Sequence, residues 1–168
     1  MVRNIKNTAE FLSIFRQYEP RGYTPLARAL DQVLRDNLQL VNYERKLLIL
    51  IVTDGEPTDN QGHSDINGFK KCLESRKPAD RIFTSIIACT DQDDSMEYLN
   101  RMDRSLKHLD VVDDFRNEKK EIARKRGSTF PFSYGDYVAK AMIGSVDNSI
   151  DAFDEKKDKH SSGGGSLG

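Results

Sequence analysis

The sequence has few cysteines, and they follow no recognisable pattern. Its 168 residues include two, Cys72 and Cys89, and neither has a histidine or another cysteine at the spacing of a metal site. Two cysteines are too few for the disulfide framework that stabilises many small secreted domains. We therefore expect both thiols to be reduced and buried, where they would pack as small apolar side chains.

Long apolar segments and an excess of one charge are missing as well. No apolar run approaches the roughly 20 residues that cross a bilayer, and the first residues, MVRNIKNTAEF, lack the apolar centre of a secretory signal. The net charge is −1, and no basic stripe suits nucleic acid or anionic lipid. These features predict a cytoplasmic protein that neither inserts into membranes nor binds nucleic acid.

The sequence does contain an alternation of helical and strand patterns. Three apolar runs predict strands at residues 47–52, 81–89 and 109–112, each followed by a segment of helical periodicity. Such alternation predicts an α/β fold, in which a parallel sheet carries helices on both sides. The first and last helices should present apolar faces formed by Phe11, Leu12 and Phe15, and by Tyr137, Val138, Ala141 and Met142.

Two further features set the expected limits of the fold. The unbroken apolar run at residues 47–52 predicts a central strand that is covered on both faces. Residues 154–168 are charged and then rich in glycine and serine, which predicts a disordered tail. We therefore expect one folded domain over residues 1–153.

Asp54 and Thr24 are the candidate site residues. Asp54 directly follows the strand at residues 47–52, and ligands of parallel sheets bind beyond the carboxyl ends of the strands. Thr24 opens a helix after the loop RGYTPL, where its side chain is a good N-cap. Asp54-Gly55 is also a common turn pair that needs no ligand. Together, however, a hydroxyl and a carboxylate are the hard oxygen ligands that Mg²⁺ accepts.

The segments PRGYTPLARAL and LLILIVTDGEPTD resemble two parts of a von Willebrand factor A domain. That family holds a divalent ion at a metal-ion-dependent adhesion site, which combines an Asp-x-Ser-x-Ser loop, a Thr in a Gly-x-Thr loop and an Asp at the end of a strand. The resemblance implies a doubly wound, Rossmann-like parallel sheet. It also implies that Thr24 and Asp54 are ligands of Mg²⁺ or Mn²⁺, and that the ion binds a protein partner presenting Asp or Glu, without catalysis.

The sequence departs from this family in its first motif. No Asp-x-Ser-x-Ser occurs in the chain, and only 23 residues precede Thr24. We therefore expect the C-terminal two-thirds of such a domain, without its first three strands. The run at residues 47–52 would then lie at an exposed edge, which promotes aggregation unless another segment pairs with it.

Three alternatives remain open. Asp91, Asp93 and Ser95 in TDQDDS imitate the missing loop, although the same residues also suit a solvated loop in which Asp94 or Ser95 caps the next helix. A second alternative is a Mg²⁺-dependent phosphoryl-transfer or phosphatase-like enzyme with Asp54 as nucleophile and a lysine, such as Lys140, on the phosphate. The third is a metal-free scaffold, because two oxygen ligands are too few to displace the water shell of Mg²⁺.

Overall fold

The computed structural model describes residues 5–18, 21–90 and 93–147. The predicted tail at residues 154–168, the domain limit at residue 153 and Asp91 lie outside these ranges. The described elements are α1 (Thr8–Gln17), α2 (Leu26–Asn37, followed by a 3₁₀ turn at Leu38–Leu40), β1 (Leu47–Thr53), α3 (Ile66–Glu74), β2 (Ile82–Ala88), α4 (Asp93–Ser105), β3 (Leu109–Val112), α5 (Phe115–Arg126) and α6 (Tyr134–Ile143).

The predicted α/β fold is confirmed. The three strands form one parallel sheet in the order β1-β2-β3, with Leu47 beside Ile82 and Thr84 beside Leu109. Helices lie on both faces of this sheet. Across the described residues, no helix is both long and apolar enough to cross a membrane.

One face of the sheet packs against α2, α3 and α4. The side chains of Ile49, Ile86 and Leu109 on the strands contact an apolar layer that these helices provide, and each is almost inaccessible to solvent. Burial of a large apolar side chain contributes about 1.5–3 kcal/mol. The helix members of this layer are Leu30, Phe69, Leu73, Tyr98, Leu99 and Met102. This face therefore holds the larger part of the core.

The opposite face packs against α5 and α6 and includes buried polar groups. Val112 on β3 lies in an apolar cluster with Ile122 of α5 and Tyr137 and Ala141 of α6. Beside this cluster, the Lys140 ammonium lies 2.7 Å from a Glu118 carboxylate oxygen, and the two side chains are 1% and 2% exposed. The hydroxyls of Ser85 and Ser145 are 3.1 Å apart and also buried. Polar contacts therefore join α6 to α5, and the segment after α6 to β2.

The prediction that β1 is covered on both faces is wrong. Leu50 and Val52 remain 39% and 65% exposed, because α6 lies over β2 and β3. Their neighbour Ile49 points to the other face and is buried. Within the described ranges β1 pairs only with β2, so it lies at one edge of the sheet.

Helix α4 begins earlier than the sequence predicted. Its first residue is Asp93, so Asp94 and Ser95 lie in the first turn of the helix instead of capping it from outside. Residues 93–95 of the acidic segment are therefore helical backbone and do not form a ligand loop.

Candidate functional site

Thr24 and Asp54 line the same open cleft. Asp54 directly follows β1, and Thr24 lies two residues before α2, so the cleft lies at the carboxyl edge of the sheet beside the first turn of that helix. Its volume is about 490 Å³. The lining residues are Arg21, Gly22, Tyr23, Thr24, Pro25, Leu26, Ala29 and Asp54. The two residues singled out from the sequence are therefore brought together by the fold.

The local role of Thr24 differs from the expectation. Pro25 occupies the N-cap position of α2 and no side chain caps the helix, so Thr24 is not the N-cap. The Thr24 backbone instead bonds to the loop that follows β1. Its N–H donates to Thr58 Oγ1 at 2.8 Å, and its carbonyl accepts from the Thr58 N–H, also at 2.8 Å. This pairing positions the Thr24 loop against the segment that begins at Asp54.

The backbone next to Asp54 is held by two hydroxyl groups. The buried Thr53 Oγ1 donates to the Gly55 carbonyl at 3.1 Å. The Tyr98 hydroxyl of α4 donates to the same carbonyl at 3.3 Å. Burial of Tyr98, followed by the charge of Glu56, raises the pKa of Tyr98 to about 12, so its hydroxyl remains a donor at ordinary pH. Asp54 itself is exposed, on a turn whose backbone is held by the hydroxyls of Thr53 and Tyr98.

This hydrogen bond predicts a moderate loss of stability for Tyr98→Phe. The substitution removes the donor to the Gly55 carbonyl while keeping the packed ring, so we expect a loss of about 1 kcal/mol in the free energy of unfolding. Urea denaturation followed by circular dichroism measures it. The matched control is Tyr43→Phe, because Tyr43 is 90% exposed; an equal change in both variants would contradict the role of the Tyr98 hydroxyl.

Cys89 lies at the same edge, and its expected burial is wrong. Both cysteines are free thiols, but Cys89 is exposed and Cys72 only partly buried. The pKa of Cys89 is raised by partial desolvation, then by the charges of Asp54, Asp114 and Asp113. The thiol is therefore neutral near pH 7, and carboxylates from the ends of β1 and β3 both act on it. The edge has a negative character that favours cations.

The described residues offer a small set of metal ligands. No group of three histidine, cysteine, aspartate or glutamate side chains there is arranged to hold a metal ion. Asp114 caps α5 by accepting from the Arg116 and Asn117 N–H groups at 2.7 and 3.3 Å. Thr24 carries a hydroxyl and Asp54 a carboxylate, and Mg²⁺ accepts oxygen groups of this kind, commonly keeping several waters when few protein ligands bind it.

The lysine considered for an enzymatic mechanism lies elsewhere. Lys140 is buried in the ion pair with Glu118 and does not line the cleft that contains Asp54. Of the acidic residues that imitate the missing loop, Asp91 lies outside the described ranges.

Sequence reasoning did not single out the cationic and the aromatic side chain of the cleft, Arg21 and Tyr23. The Tyr23 ring packs over Gly62, where a Cβ atom would collide with it, and Gly62 has a φ of 89° that suits glycine. Both missed residues belong to the RGYTPL loop, so their proximity to Thr24 in the sequence was the available signal.

Comparison of the chain with models of protein families, with curated proteins and with solved structures finds no match. The resemblance to von Willebrand factor A domains therefore depends on sequence motifs alone, chiefly the two segments around Thr24 and Asp54.

Proposed function

We propose that the chain is a partial von Willebrand factor A-like module that binds a protein partner through Mg²⁺ or Mn²⁺. Thr24 and Asp54 would contribute to the ion directly or through water, and the partner would present an Asp or Glu carboxylate. One observation carries the proposal: Thr24 and Asp54 lie far apart in the sequence but line one cleft of about 490 Å³ at the carboxyl edge of the sheet.

The charges around the cleft favour a bound dication that then accepts a carboxylate from a partner. Asp54, with Asp113 and Asp114 at the same edge, favours a dication. A dication held by few protein oxygens retains an open position, which an incoming carboxylate can take from water. Arg21 also lines the cleft, and its positive charge adds to the potential that an incoming carboxylate meets. Binding of this kind makes and breaks no covalent bond, so it requires neither nucleophile nor general base.

Metal and partner are expected to bind cooperatively. Two protein oxygens compete poorly with the hydration shell of Mg²⁺, so the ion alone should bind weakly. A carboxylate from the partner adds a further ligand and increases the affinity for the ion, and by reciprocity the ion increases the affinity for the partner by the same factor. The carboxylate would thus complete the site.

A paramagnetic titration tests the site with the metal alone. Adding Mn²⁺ to ¹⁵N-labelled protein should broaden the amide signals of residues 22–24 and 54–55 first, and glutamate should strengthen the effect. Asp54→Asn should abolish this broadening, because it removes the charged ligand. Thr24→Val should weaken it while leaving the backbone pairing with Thr58 intact.

The matched control is Asp80→Asn. It removes the same charge from an exposed carboxylate just before β2, at the amino ends of the strands, and should leave the broadening at residues 22–24 and 54–55 unchanged. Broadening that persists in Asp54→Asn, or that centres on other residues, would overturn the proposal. Hydrolysis of a generic phosphate ester that depends on Asp54 would instead favour the enzymatic alternative.

A further inference from the structure

The outer edge of β1 offers regularly spaced backbone groups. The Leu47 N–H donates to the Arg81 carbonyl at 2.9 Å, and the Thr53 carbonyl accepts from the Cys89 N–H at 2.8 Å. Odd-numbered residues of β1 therefore direct their backbone groups towards β2. Because these directions alternate along a strand, Leu48, Leu50 and Val52 direct theirs towards the outer edge. No strand within the described ranges pairs with that edge.

Both sides of this edge are apolar. An apolar groove of about 260 Å³ runs along the strand, lined by residues 49–52 of β1 and by Leu26, Ala29, Leu30 and Val33 of α2. On the other face of the sheet, Leu50 and Val52 are 39% and 65% exposed. No proline or charge interrupts Leu47–Thr53. Natural proteins commonly protect an open edge strand with prolines or charged residues. Strand β1 lacks both, so its outer edge is suited to pairing with another strand.

Opposite charges lie at the two ends of the strand. Lys46 precedes β1 and Asp54 follows it, and both residues are exposed. An antiparallel copy of the same strand, centred on Leu50, places each Lys46 opposite Asp54 of the second copy. The same arrangement places Leu48 opposite Val52 of the second copy, so the exposed apolar side chains become neighbours across the two-fold axis.

We propose that β1 pairs with β1 of a second copy of this chain, in an antiparallel, two-fold symmetric dimer centred on Leu50. The two three-stranded sheets then form one continuous sheet. Leu48, Leu50 and Val52 exchange backbone hydrogen bonds with Val52, Leu50 and Leu48 of the second copy, because all of them direct these groups outward. The α2 helices lie on the same side of that sheet, next to each other.

The backbone and the charges select this register. A shift by one residue would place the outward-directed backbone groups of one copy opposite residues of the second copy whose groups point towards β2. This removes the hydrogen bonds between the two copies. A shift by two residues keeps the hydrogen-bonding parity, but it moves Lys46 away from Asp54 of the second copy and shortens the pairing. The self-complementary ends of β1 thus favour a second copy over an unrelated strand.

Sedimentation equilibrium in EDTA tests the dimer independently of any metal. The wild-type chain should approach twice 19.1 kDa with increasing concentration. Lys46→Glu opposes like charges at both ends and should increase the dissociation constant by about tenfold. The exchange Lys46→Glu with Asp54→Lys should restore it. Lys46 also lies over the Phe83 ring, but this contact is lost in both variants. Recovery of the dimer in the double variant would therefore report the charge pair and not the ring contact.

A backbone variant and a control complete the test. Val52→Pro removes one outward N–H that β1 does not share with β2, and proline is tolerated on an edge strand, so this variant should be monomeric and folded. Lys120→Glu makes the same charge change at an exposed position of α5, and this variant should remain dimeric. A wild-type chain that is monomeric throughout, or a dimer unchanged by Val52→Pro, would overturn the proposal and leave the edge to a strand of another protein.

Discussion

Lys140→Met should destabilise the fold by about 3–5 kcal/mol, because it leaves the buried Glu118 carboxylate without its cation. The ammonium and the carboxylate are 2.7 Å apart, and both side chains are at most 2% exposed. In water either group would be well solvated, whereas within the fold the ammonium compensates the charge of the carboxylate. Methionine keeps the length and packing of the lysine stem, so the loss reports the charge. Thermal and urea unfolding of the variant measure the effect.

A double variant and a surface control make this prediction specific. Lys140→Met combined with Glu118→Gln removes both charges and should recover much of the loss, since replacing a whole buried ion pair is often nearly neutral. Lys120→Met, at an exposed position of α5 where the amine bonds to Asn117, should change stability by about 0.5 kcal/mol or less. If the double variant were as unstable as the single one, packing at Lys140 would be the cause and the charge would not.

Arg76→Lys should cost about 3 kcal/mol, although both side chains carry a positive charge. The buried Arg76 guanidinium donates to the Leu73 carbonyl at 2.7 Å and to Thr84 Oγ1 at 2.8 Å. It also donates to the carbonyls of His108 at 2.9 Å and Lys107 at 2.8 Å. These bonds connect the end of α3, strand β2 and the turn that enters β3. A lysine ammonium cannot reach this spread of acceptors, so several of them lose the donor that Arg76 supplies.

The matched control for this prediction is Arg101→Lys, which makes the same substitution at an exposed position of α4. It should leave the free energy of unfolding nearly unchanged. Burial lowers the pKa of Arg76, but an arginine side chain stays protonated in proteins. The buried guanidinium therefore keeps its N–H donors. Equal stabilities of Arg76→Lys and wild type would contradict the role of the guanidinium shape.

The elements themselves could be predicted because their signals are local. Helix α5 was expected as the helical segment after the third predicted strand, and Asp114 caps its start while Gly127, at a φ of 102°, ends it. The strands match their apolar runs closely, since β1 is Leu47–Thr53 and β3 is Leu109–Val112. Caps, turns and periodicity involve residues a few positions apart, so the sequence displays them directly.

Burial was predicted less well because it depends on neighbours distant in the sequence. The apolar face of α1 is exposed, with Phe15 at 67%, and Val138 and Met142 of α6 are each 42% exposed. Periodicity identified these faces correctly as apolar but could not tell which element would cover them. The charged side chains of Lys140 and Glu118 are buried instead, because α5 and α6 place them against each other.

The sequence by itself determined the α/β alternation, the position of Asp54 after a strand and the two segments that resemble a von Willebrand factor A domain. Only the tertiary structure decided that Thr24 is held by Thr58, that Thr24 and Asp54 line one cleft, and that β1 lies at an edge. The physical reason is the range of the interactions. Backbone conformation responds to nearby residues, whereas a cleft, an ion pair or a sheet edge exists only once distant segments have packed together.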